Sequence, residues 1–375
     1  MRKYIVIIGS IPFFEQKLFE LKASGDEFNN MVTMSDAARN IGRTIELSES
    51  LILRNNHYHG IVESAHARLG GLIEDLTAAN AIVYIHNPTS VLLHYLRGQY
   101  ESGSCDYEEI VEPRGSFENI VGVGSKIGSI KESIVGQETA LNEIAKTLWY
   151  LANARRSKPY VLMLYGGSSL GKTETAKAIA KEFFNGKMLE KHLSMFEDFS
   201  IPNYDYLFGG KPNVNSLGYE LNERQSNLVF FDEMDKCGRV FHSAFYSLFD
   251  SPVYLDTTYE VDIKDLLIVL TCNYDSEEEI RKNLGDPIFF RIDKSVRYEE
   301  LSPLSLLKIL DLEIDKQASS LTTPIDKEEI RRMAAYEINV MGSNGRTVQS
   351  AVRAAIEKKL YDRESRDNTE NCRIK

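Results

Sequence analysis

The sequence predicts an α/β protein built on parallel sheets, and three short strand-like segments carry most of this prediction. Residues 160–165, 228–231 and 266–270 are wholly apolar or aromatic. Strands without polar alternation are typical of parallel sheets that helices cover on both faces. Segments with helical spacing of apolar residues alternate with the strands, as they do around a parallel sheet. The C-terminal region, residues 302–361, is helical by the same criterion.

A separate small α/β domain is predicted for residues 1–100. The chain, at 375 residues, is long enough for two or three domains with their own cores. Residues 4–9 and 81–85 have the composition of buried strands, and residues 34–52 and 60–79 show helical spacing. This order predicts a small parallel sheet. Its residues do not indicate what the domain binds.

Three histidines in this domain, His57, His59 and His66, are close in sequence. They could belong to a metal site, but no cysteine or carboxylate pattern completes a set of ligands. We therefore interpret them as surface or capping histidines. The four cysteines of the chain are scattered without paired spacing, which predicts neither a disulfide framework nor a zinc site.

Residues 101–130 differ in composition from the segments on either side. They are rich in Gly, Ser and acidic residues and lack helical or strand periodicity, so we interpret them as a linker. The glycines at 122, 124 and 128 could also be taken for a phosphate-binding loop. Only Ile120 and Val121 could form a strand before them, so the linker is the preferred interpretation.

The strand at residues 160–165 leads into a segment that fits the pattern G-x-x-x-x-G-K-[ST]. Glycines let the backbone N–H groups approach phosphate oxygens closely. Lys172 can then contact the β- and γ-phosphates, and the Thr173 hydroxyl can ligate Mg²⁺. The alternative is a Gly/Ser turn between a strand and a helix. The predicted phosphate-binding residues are Gly166, Gly167, Ser168, Ser169, Leu170, Gly171, Lys172 and Thr173.

Two carboxylates follow the apolar strand at residues 228–231. Asp232 is predicted to hold Mg²⁺ directly or through water, and Glu233 to polarise the water that attacks the γ-phosphate. The alternative is a pair of solvated acidic residues at a strand end. The loop is predicted to bind the phosphates, and this pair is predicted to supply a metal ligand and the base.

Three further polar residues are candidates for the same reaction. Asn273 follows the strand at residues 266–270, where an amide can hydrogen-bond the γ-phosphate and the attacking water; a plain turn residue is the alternative. Arg291 could act as a transition-state cation. Arg346 lies at a predicted helix start, where a capping role is the alternative.

The overall charge is acidic, with 44 Lys and Arg against 55 Asp and Glu. This balance argues against broad electrostatic capture of nucleic acid, although a local basic patch remains open. The sequence has no apolar run of about eighteen residues and no signal-peptide layout at its N-terminus. We therefore expect a cytoplasmic protein with no membrane partner.

Taken in order, these motifs give residues 130–360 a resemblance to the AAA+ ATPases, specifically to the Clp unfoldase and disaggregase family. Residues 134–138 resemble the adenine-contacting entry segment of that family, residues 171–174 its Walker A motif, and residues 231–236 its Walker B motif. The resemblance implies a P-loop sheet flanked by helices in residues 131–300, and a C-terminal helical lid in residues 301–375.

The resemblance also implies roles for individual residues. ATP and Mg²⁺ are the expected cofactors, with Val135 and Glu174 added to the nucleotide site. Asn273 would be sensor 1 and Arg346 sensor 2. Arg291 would be an arginine finger acting on the nucleotide of a neighbouring subunit, which implies a ring of identical chains, with a hexamer expected.

Two departures from the family affect the expected function. Clp proteins carry an aromatic Gly-Tyr-Val-Gly pore loop, whereas residues 213–218 here are Asn-Val-Asn-Ser-Leu-Gly. Any grip on a threaded polypeptide would then fall to Val214 and Leu217. The sequence shows no convincing peptidase-docking tripeptide, so a protease partner is not expected. The resemblance does not extend to the N-terminal domain.

Three functions remain open at this point. The first is an ATP-hydrolysing ring that remodels a protein substrate or partner complex, which residues 1–100 select. The second is a nucleotide-gated oligomeric switch or scaffold in defence or signalling, without threading. The third, a DNA- or RNA-linked motor, is disfavoured by the net charge.

Overall fold

The structure is a computed structural model that describes residues 1–115, 117, 121–210, 214–341 and 344–373. This part of the chain contains two five-stranded parallel sheets, a short hairpin and a C-terminal helical unit. The predicted α/β class is confirmed. No helix among the described residues combines the length and the apolar composition needed to cross a membrane.

The first domain is a five-stranded parallel sheet with helices on its two faces. Its elements are β1 (Lys3–Ile8), α1 (Ile11–Glu20), β2 (Asp26–Glu27), α2 (Phe28–Asn40), β3 (Ser48–Leu53), α3 (Glu63–His66), α4 (Leu69–Leu76), β4 (Thr77–His86), α5 (Ser90–Glu101) and β5 (Asp106–Val111). The strand order is β2-β3-β4-β1-β5. The prediction of a small parallel sheet is therefore confirmed.

The predicted end of this domain at residue 100 is wrong. Strand β5 pairs in parallel with β1 from Asp106 to Val111, so the domain extends through most of the acidic part of the predicted linker. As an edge strand, β5 is only partly buried and has no apolar run. Its acidic composition therefore resembles that of a linker.

The two helical predictions for residues 34–52 and 60–79 are only partly right. Helix α2 ends at Asn40, and residues 48–53 form the inner strand β3. Three consecutive apolar residues, 51–53, fit a helix or a strand equally well, and pairing with β2 and β4 decides between them. Residues 60–79 contain α3 and α4 but end in the first residues of β4.

The three histidines considered above, His57, His59 and His66, are packing and capping residues rather than surface residues. His57 and His66 are buried, and His57 Nδ1 accepts the backbone N–H of Arg54 at 3.2 Å. The His59 ring lies 5.6 Å from the Tyr219 ring. Across the described residues, no group of three or more His, Cys, Asp or Glu side chains is arranged to hold a metal ion.

The second domain is built on a parallel sheet with strand order β12-β6-β11-β8-β7. Its elements are α6 (Val123–Ser133), α7 (Glu138–Asn153), β6 (Tyr160–Tyr165), α8 (Lys172–Phe184), β7 (Leu189–His192), α9 (Ile201–Phe208), α10 (Leu217–Glu223), β8 (Leu228–Asp232), α11 (Ala244–Asp250), β9 (Val253–Leu255), β10 (Glu260–Asp262), β11 (Leu267–Cys272), α12 (Glu277–Leu284), α13 (Asp286–Phe289) and β12 (Lys294–Arg297). Strands β9 and β10 form an antiparallel hairpin.

Strand β6 is buried on both faces, as its uniform apolar composition predicts. Val161 and Met163 belong to the core on one face of the sheet, and Leu162 and Leu164 to the core on the other. Helix α6 packs into the second core, although it lies mostly within the predicted linker. The linker at 101–130 and the domain start at 131 are therefore wrong at both ends.

A three-helix unit completes the described chain, as the C-terminal pattern predicts. Its helices are α14 (Pro303–Ser319), α15 (Lys327–Met341) and α16 (Gly345–Arg373). Residues on all three helices form one apolar core, which includes Leu310, Ile330 and Val352. The unit touches the second domain near the turn after β6, where Gly345 N donates to Ser169 O at 3.3 Å.

Candidate active site

The carboxyl ends of β6, β8 and β11 meet at a cavity of about 550 Å³ between the second domain and the helical unit. Parallel α/β sheets place their ligand sites at this edge. Most of the predicted site residues line this cavity: Val135, Ser168, Ser169, Leu170, Gly171, Lys172, Thr173, Glu174, Asp232, Glu233, Asn273 and Arg346.

The loop after β6 has the backbone geometry that its glycines permit. Gly166 has φ +130°, and a Cβ at this residue would lie 2.5 Å from the Tyr298 carbonyl oxygen. Gly171 has φ +97° and is the N-cap of α8. The loop therefore ends at a helix N-terminus, where backbone N–H groups and the helix dipole favour an anion.

Lys172 is buried and makes a compact set of hydrogen bonds. Its Nζ donates to the Gly166 and Gly167 carbonyl oxygens, both at 2.7 Å, and to Asn273 Oδ1 at 3.2 Å. Burial lowers the pKa of this ammonium group. Gly166 and Gly167 thus contribute to the site by holding Lys172, while the ammonium ties the loop to the end of β11.

Asp232 lies at the end of β8 within reach of three polar side chains. Thr173 Oγ1 is 3.4 Å from Asp232 Oδ2, and the Thr271 hydroxyl donates to Asp232 Oδ1. His192 Nδ1 lies 3.6 Å from the same carboxylate. Because hydroxyl and carboxylate oxygens are ligands that Mg²⁺ prefers, Thr173 and Asp232 fit the predicted metal role.

Glu233 begins the turn after β8 with φ +60°, an uncommon conformation for a residue other than glycine. Its backbone N–H donates to Thr271 Oγ1 at 3.0 Å. The same hydroxyl therefore fixes the Asp232 carboxylate and the backbone of Glu233. Asn273 is fixed on the other side, since its backbone N–H and its amide donate to Asp235 at 3.2 Å and 3.3 Å.

The far wall of the cavity combines apolar and charged side chains. Ile134 and Val135 come from the segment between α6 and α7, and Leu301, Ile309 and Leu312 come from the helical unit or the residues before it. An apolar cleft of this kind suits a purine base. Arg346, which is exposed, and Lys316 bring positive charge from the helical unit to the same cavity.

A family model described as the ATPase family associated with various cellular activities (AAA) matches residues 162–290. This match spans the loop, both carboxylates and Asn273. Within the second domain, residues 162–290 are therefore similar to the ATPase domains of this family. The second domain is called the AAA+ domain below because of this similarity.

Relatives of the chain include Clp proteins at low identity. Chaperone protein ClpB of Chlamydia trachomatis is 22% identical over 356 residues, covering 83% of this chain and 40% of the relative. AAA+ ATPase ClpV1 of Pseudomonas aeruginosa is 32% identical over 184 residues, covering 42% of this chain and 20% of the relative. ATP-dependent Clp protease ATP-binding subunit ClpE of Lactococcus lactis is 26% identical over 265 residues, covering 62% of this chain and 35% of the relative. The chain thus spans less than half the length of these relatives.

Arg291 does not line the cavity of the AAA+ domain of its own chain. Its guanidinium lies 5.0 Å from the centre of the Tyr246 ring, donates to the Pro287 carbonyl oxygen at 2.7 Å and lies 3.7 Å from Asp250. Arg291 therefore stays a prediction for a neighbouring subunit. A purely structural role is the alternative.

The sequence alone missed several residues at the AAA+ site. Thr271, His192 and Lys316 all line the cavity. Thr271 had a usable signal, because it is the one hydroxyl at the end of an otherwise apolar strand. His192 and Lys316 had none, because their positions follow from the pairing of β7 with β8 and from the packing of the helical unit.

One predicted pore residue is not available to a substrate. Leu217 is fully buried in the core beneath α10, whereas Val214 is 43% exposed. The proposal that both grip a polypeptide is therefore wrong for Leu217. Its side chain packs inward because α10 is amphipathic and begins at this residue. Asn213 lies outside the described residues.

Proposed function

We propose that this chain binds and hydrolyses ATP at the cavity of its AAA+ domain. The observation that carries the proposal is the convergence of Lys172, Thr173, Asp232, Glu233 and Asn273 on one cavity at the carboxyl edge of the sheet. These residues supply a cation, two oxygen ligands, a base and an amide. Together they form the set that phosphoryl transfer to water requires.

Binding of the nucleotide draws on both domains that line the cavity. The loop at residues 166–173 and the N-terminus of α8 bind the phosphates. Lys172 replaces one of its hydrogen bonds to a loop carbonyl oxygen with a hydrogen bond to a phosphate oxygen. Val135 and the apolar residues of the helical unit hold the base. Thr173 and Asp232 would hold Mg²⁺, which, when bound, would neutralise charge on the β- and γ-phosphates.

Hydrolysis requires a positioned water and a base. Glu233 accepts a proton from the water as its oxygen bonds to the γ-phosphorus, and the bond from that phosphorus to the bridging oxygen of ADP breaks. Asn273 donates to the γ-phosphate, and its link to Lys172 at 3.2 Å keeps both groups on one side of the site. Arg346 adds charge stabilisation from the helical unit.

Substitution of Lys172 tests the binding step. Lys172→Ala should weaken ATP binding by about 10- to 100-fold, because a buried ammonium makes charge-assisted hydrogen bonds. Titration of the purified chain with a fluorescent ATP analogue measures the affinity. Lys181→Ala, at an exposed position on the same helix, is the matched control and should bind as the unaltered chain does. Equal affinity for both variants would contradict the proposed site.

We further propose that the chain works as a ring of identical subunits, with a hexamer expected, that remodels a protein substrate or partner complex. The support is the Clp character of its relatives and the position of Arg291 outside the cavity of its own chain. Residues 1–111 would select the protein substrate. A nucleic-acid partner, a protease partner and a membrane partner are not proposed.

A nucleotide-gated switch or scaffold is the second candidate. It is favoured by the weak pore segment, in which Val214 is the one exposed apolar side chain among the described residues 214–218. Val214→Ala separates the two candidates. Loss of remodelling with unchanged ATP hydrolysis supports threading, whereas unchanged behaviour in both assays supports the switch. A pull-down with Glu233→Gln identifies the protein on which either form acts.

A further inference from the structure

The N-terminal domain and the AAA+ domain meet at a contact that the proposed ATP chemistry does not use. Helix α10 of the AAA+ domain ends at Glu223, and this residue reaches the carboxyl edge of the N-terminal sheet. Around it, Ser90 N donates to Thr258 O at 2.8 Å, and Tyr259 OH donates to Asn55 Oδ1 at 3.3 Å. Glu223 lies at the centre of this contact.

The Glu223 carboxylate is held by three donors of the N-terminal domain. Oε1 accepts from Asn55 Nδ2 at 2.9 Å and from Asn87 Nδ2 at 2.8 Å. Oε2 accepts from the backbone N–H of Ile11 at 2.9 Å. Ile11 is the first residue of α1, so the carboxylate also lies at the favourable end of that helix dipole.

The groups that receive this carboxylate are built into the N-terminal core. Asn55, Asn87 and His86 are each 1% exposed. The Asn87 side chain is oriented by Gly9, whose N–H donates to Asn87 Oδ1 at 2.9 Å. His86 Nε2 lies 2.8 Å from Gly9 O, and burial lowers the pKa of His86 to about 4, so the imidazole is neutral near pH 7. The pocket therefore presents buried amide donors beside a neutral imidazole.

The position of this pocket in the sheet is also informative. Strands β1 and β4 are neighbours in the sheet. From β1 the chain continues to β2 at one edge, and from β4 it continues to β5 at the other edge, so the two connections run in opposite directions. The crevice at such a point is where open α/β sheets take their ligands. In this chain the group in that crevice is Glu223 of the AAA+ domain.

We propose that the carboxyl edge of the N-terminal sheet is a carboxylate-binding site whose ligand is Glu223, and that this contact latches the N-terminal domain onto the AAA+ domain. The latch reaches the catalytic strand through a short path. Helix α10 follows the pore segment, and β8 begins at Leu228 and ends at Asp232.

The connection between the domains lies beside this latch. Glu112 belongs to the N-terminal domain, since its carboxylate accepts from Ser10 N at 2.6 Å. Arg114 belongs to the AAA+ domain, since its guanidinium donates to Asn222 O at 2.6 Å and to Arg224 O at 3.1 Å. Only Pro113 separates the two anchors, so the chain passes from one domain to the other at this single residue.

Hydrogen exchange on the full chain tests the latch at two amides. Ile11 N–H donates directly to Glu223. Ser90 N–H donates to Thr258 O across the same domain contact and does not bond to Glu223. Glu223→Gln keeps the shape of the side chain but removes the charge and one acceptor. We expect exchange about 10- to 100-fold faster at both amides, because opening one site releases the whole contact.

Two further variants keep the test decisive. Glu260→Gln removes a carboxylate at the rim of the same contact, 3.6 Å from the exposed His94, and should leave both amides unchanged. Asn55→Asp replaces a donor by a second carboxylate facing Glu223, and adding Glu223→Gln removes this repulsion, so the double variant should be better protected than Asn55→Asp alone. Protection of amides in β4 and in α7 reports that both domains of each variant are folded.

The proposal would be overturned by either of two results. In the first, the Ser90 amide of Glu223→Gln exchanges as slowly as in the unaltered chain, which would show that Glu223 holds only its own partners and not the whole domain contact. In the second, the double variant is no better protected than Asn55→Asp alone. Neither readout depends on ATP hydrolysis, so the latch and the proposed ATPase fail or succeed separately.

Discussion

The Thr271 hydroxyl joins the Asp232 carboxylate to the backbone of Glu233. It donates to Asp232 and accepts the backbone N–H of Glu233. Thr271 is 1% exposed, so water does not easily replace the hydroxyl. We therefore assign it a positioning role, acting through the residues proposed to hold Mg²⁺ and to activate the attacking water.

Thr271→Val keeps the shape of the side chain and removes this bridge. We expect kcat for ATP hydrolysis to fall by about 10- to 100-fold, because small displacements of catalytic groups are costly. KM should change by less than about threefold, because Lys172 and the loop are untouched. Steady-state kinetics measure both quantities. Thr271→Ser retains the hydroxyl and should recover most of kcat, and a failure of this rescue would show that packing rather than the hydroxyl matters.

Site residues that belong to one continuous motif were predictable from the sequence. Site residues that neighbouring strands supply were not. Lys172 and Thr173 follow from one local pattern, and Glu233 from an acidic pair after an apolar strand. His192 reaches Asp232 only because β7 pairs with β8. No local pattern contains that information.

Among the elements, the phosphate-binding loop depends most on the identity of a single residue. Gly166 combines φ +130° with a close approach to the Tyr298 carbonyl oxygen. Gly167, its neighbour, has no positive φ, and an added Cβ there would make an ordinary 3.5 Å contact with Leu170. The two glycines thus form a matched pair for substitution.

Gly166→Ala should lower the free energy of unfolding of the AAA+ domain by about 1–3 kcal/mol, because alanine rarely adopts this conformation. Gly167→Ala should change it by less than about 0.5 kcal/mol. Urea denaturation followed by circular dichroism measures both. Similar unfolding midpoints for the two variants would contradict the strain assigned to residue 166.

The wholly apolar inner strands of the AAA+ domain were predictable from the sequence, whereas the inner strand β3 and the edge elements were not. Strands β6, β8 and β11 are buried on both faces, so their apolar composition marks them. Strand β5 packs at an edge and carries acidic residues, and the glycines of α6 were interpreted as part of a linker. These two elements acquire their structure from the sheet and the core against which they pack.

At the scale of the whole molecule, Arg291 decides whether subunits share active sites. Its contacts with Tyr246, Pro287 and Asp250 hold the guanidinium outside the cavity of its own chain. An arginine finger acts on a neighbouring nucleotide, so the defect in one subunit can be repaired by another. A structural arginine cannot be complemented in this way.

Mixing two inactive variants tests this shared site. Arg291→Ala retains its own nucleotide site, and Lys172→Ala retains its finger. We expect each variant alone to lose at least about 10-fold in ATP hydrolysis, and equimolar mixtures to regain activity at interfaces where an intact finger faces an intact site. A mixture with no more than the average activity of its components would indicate that Arg291 acts only within its own chain.

The central claim is that ATP is hydrolysed at the cavity between Lys172 and the carboxylates after β8. Comparison of ATP binding and hydrolysis by the unaltered chain and Glu233→Gln tests it most directly. The variant should bind ATP within about threefold of normal affinity and hydrolyse it about 10²- to 10⁴-fold more slowly, because only the proton acceptor is lost. Undiminished hydrolysis by Glu233→Gln would contradict the assignment of the base and the account built on it.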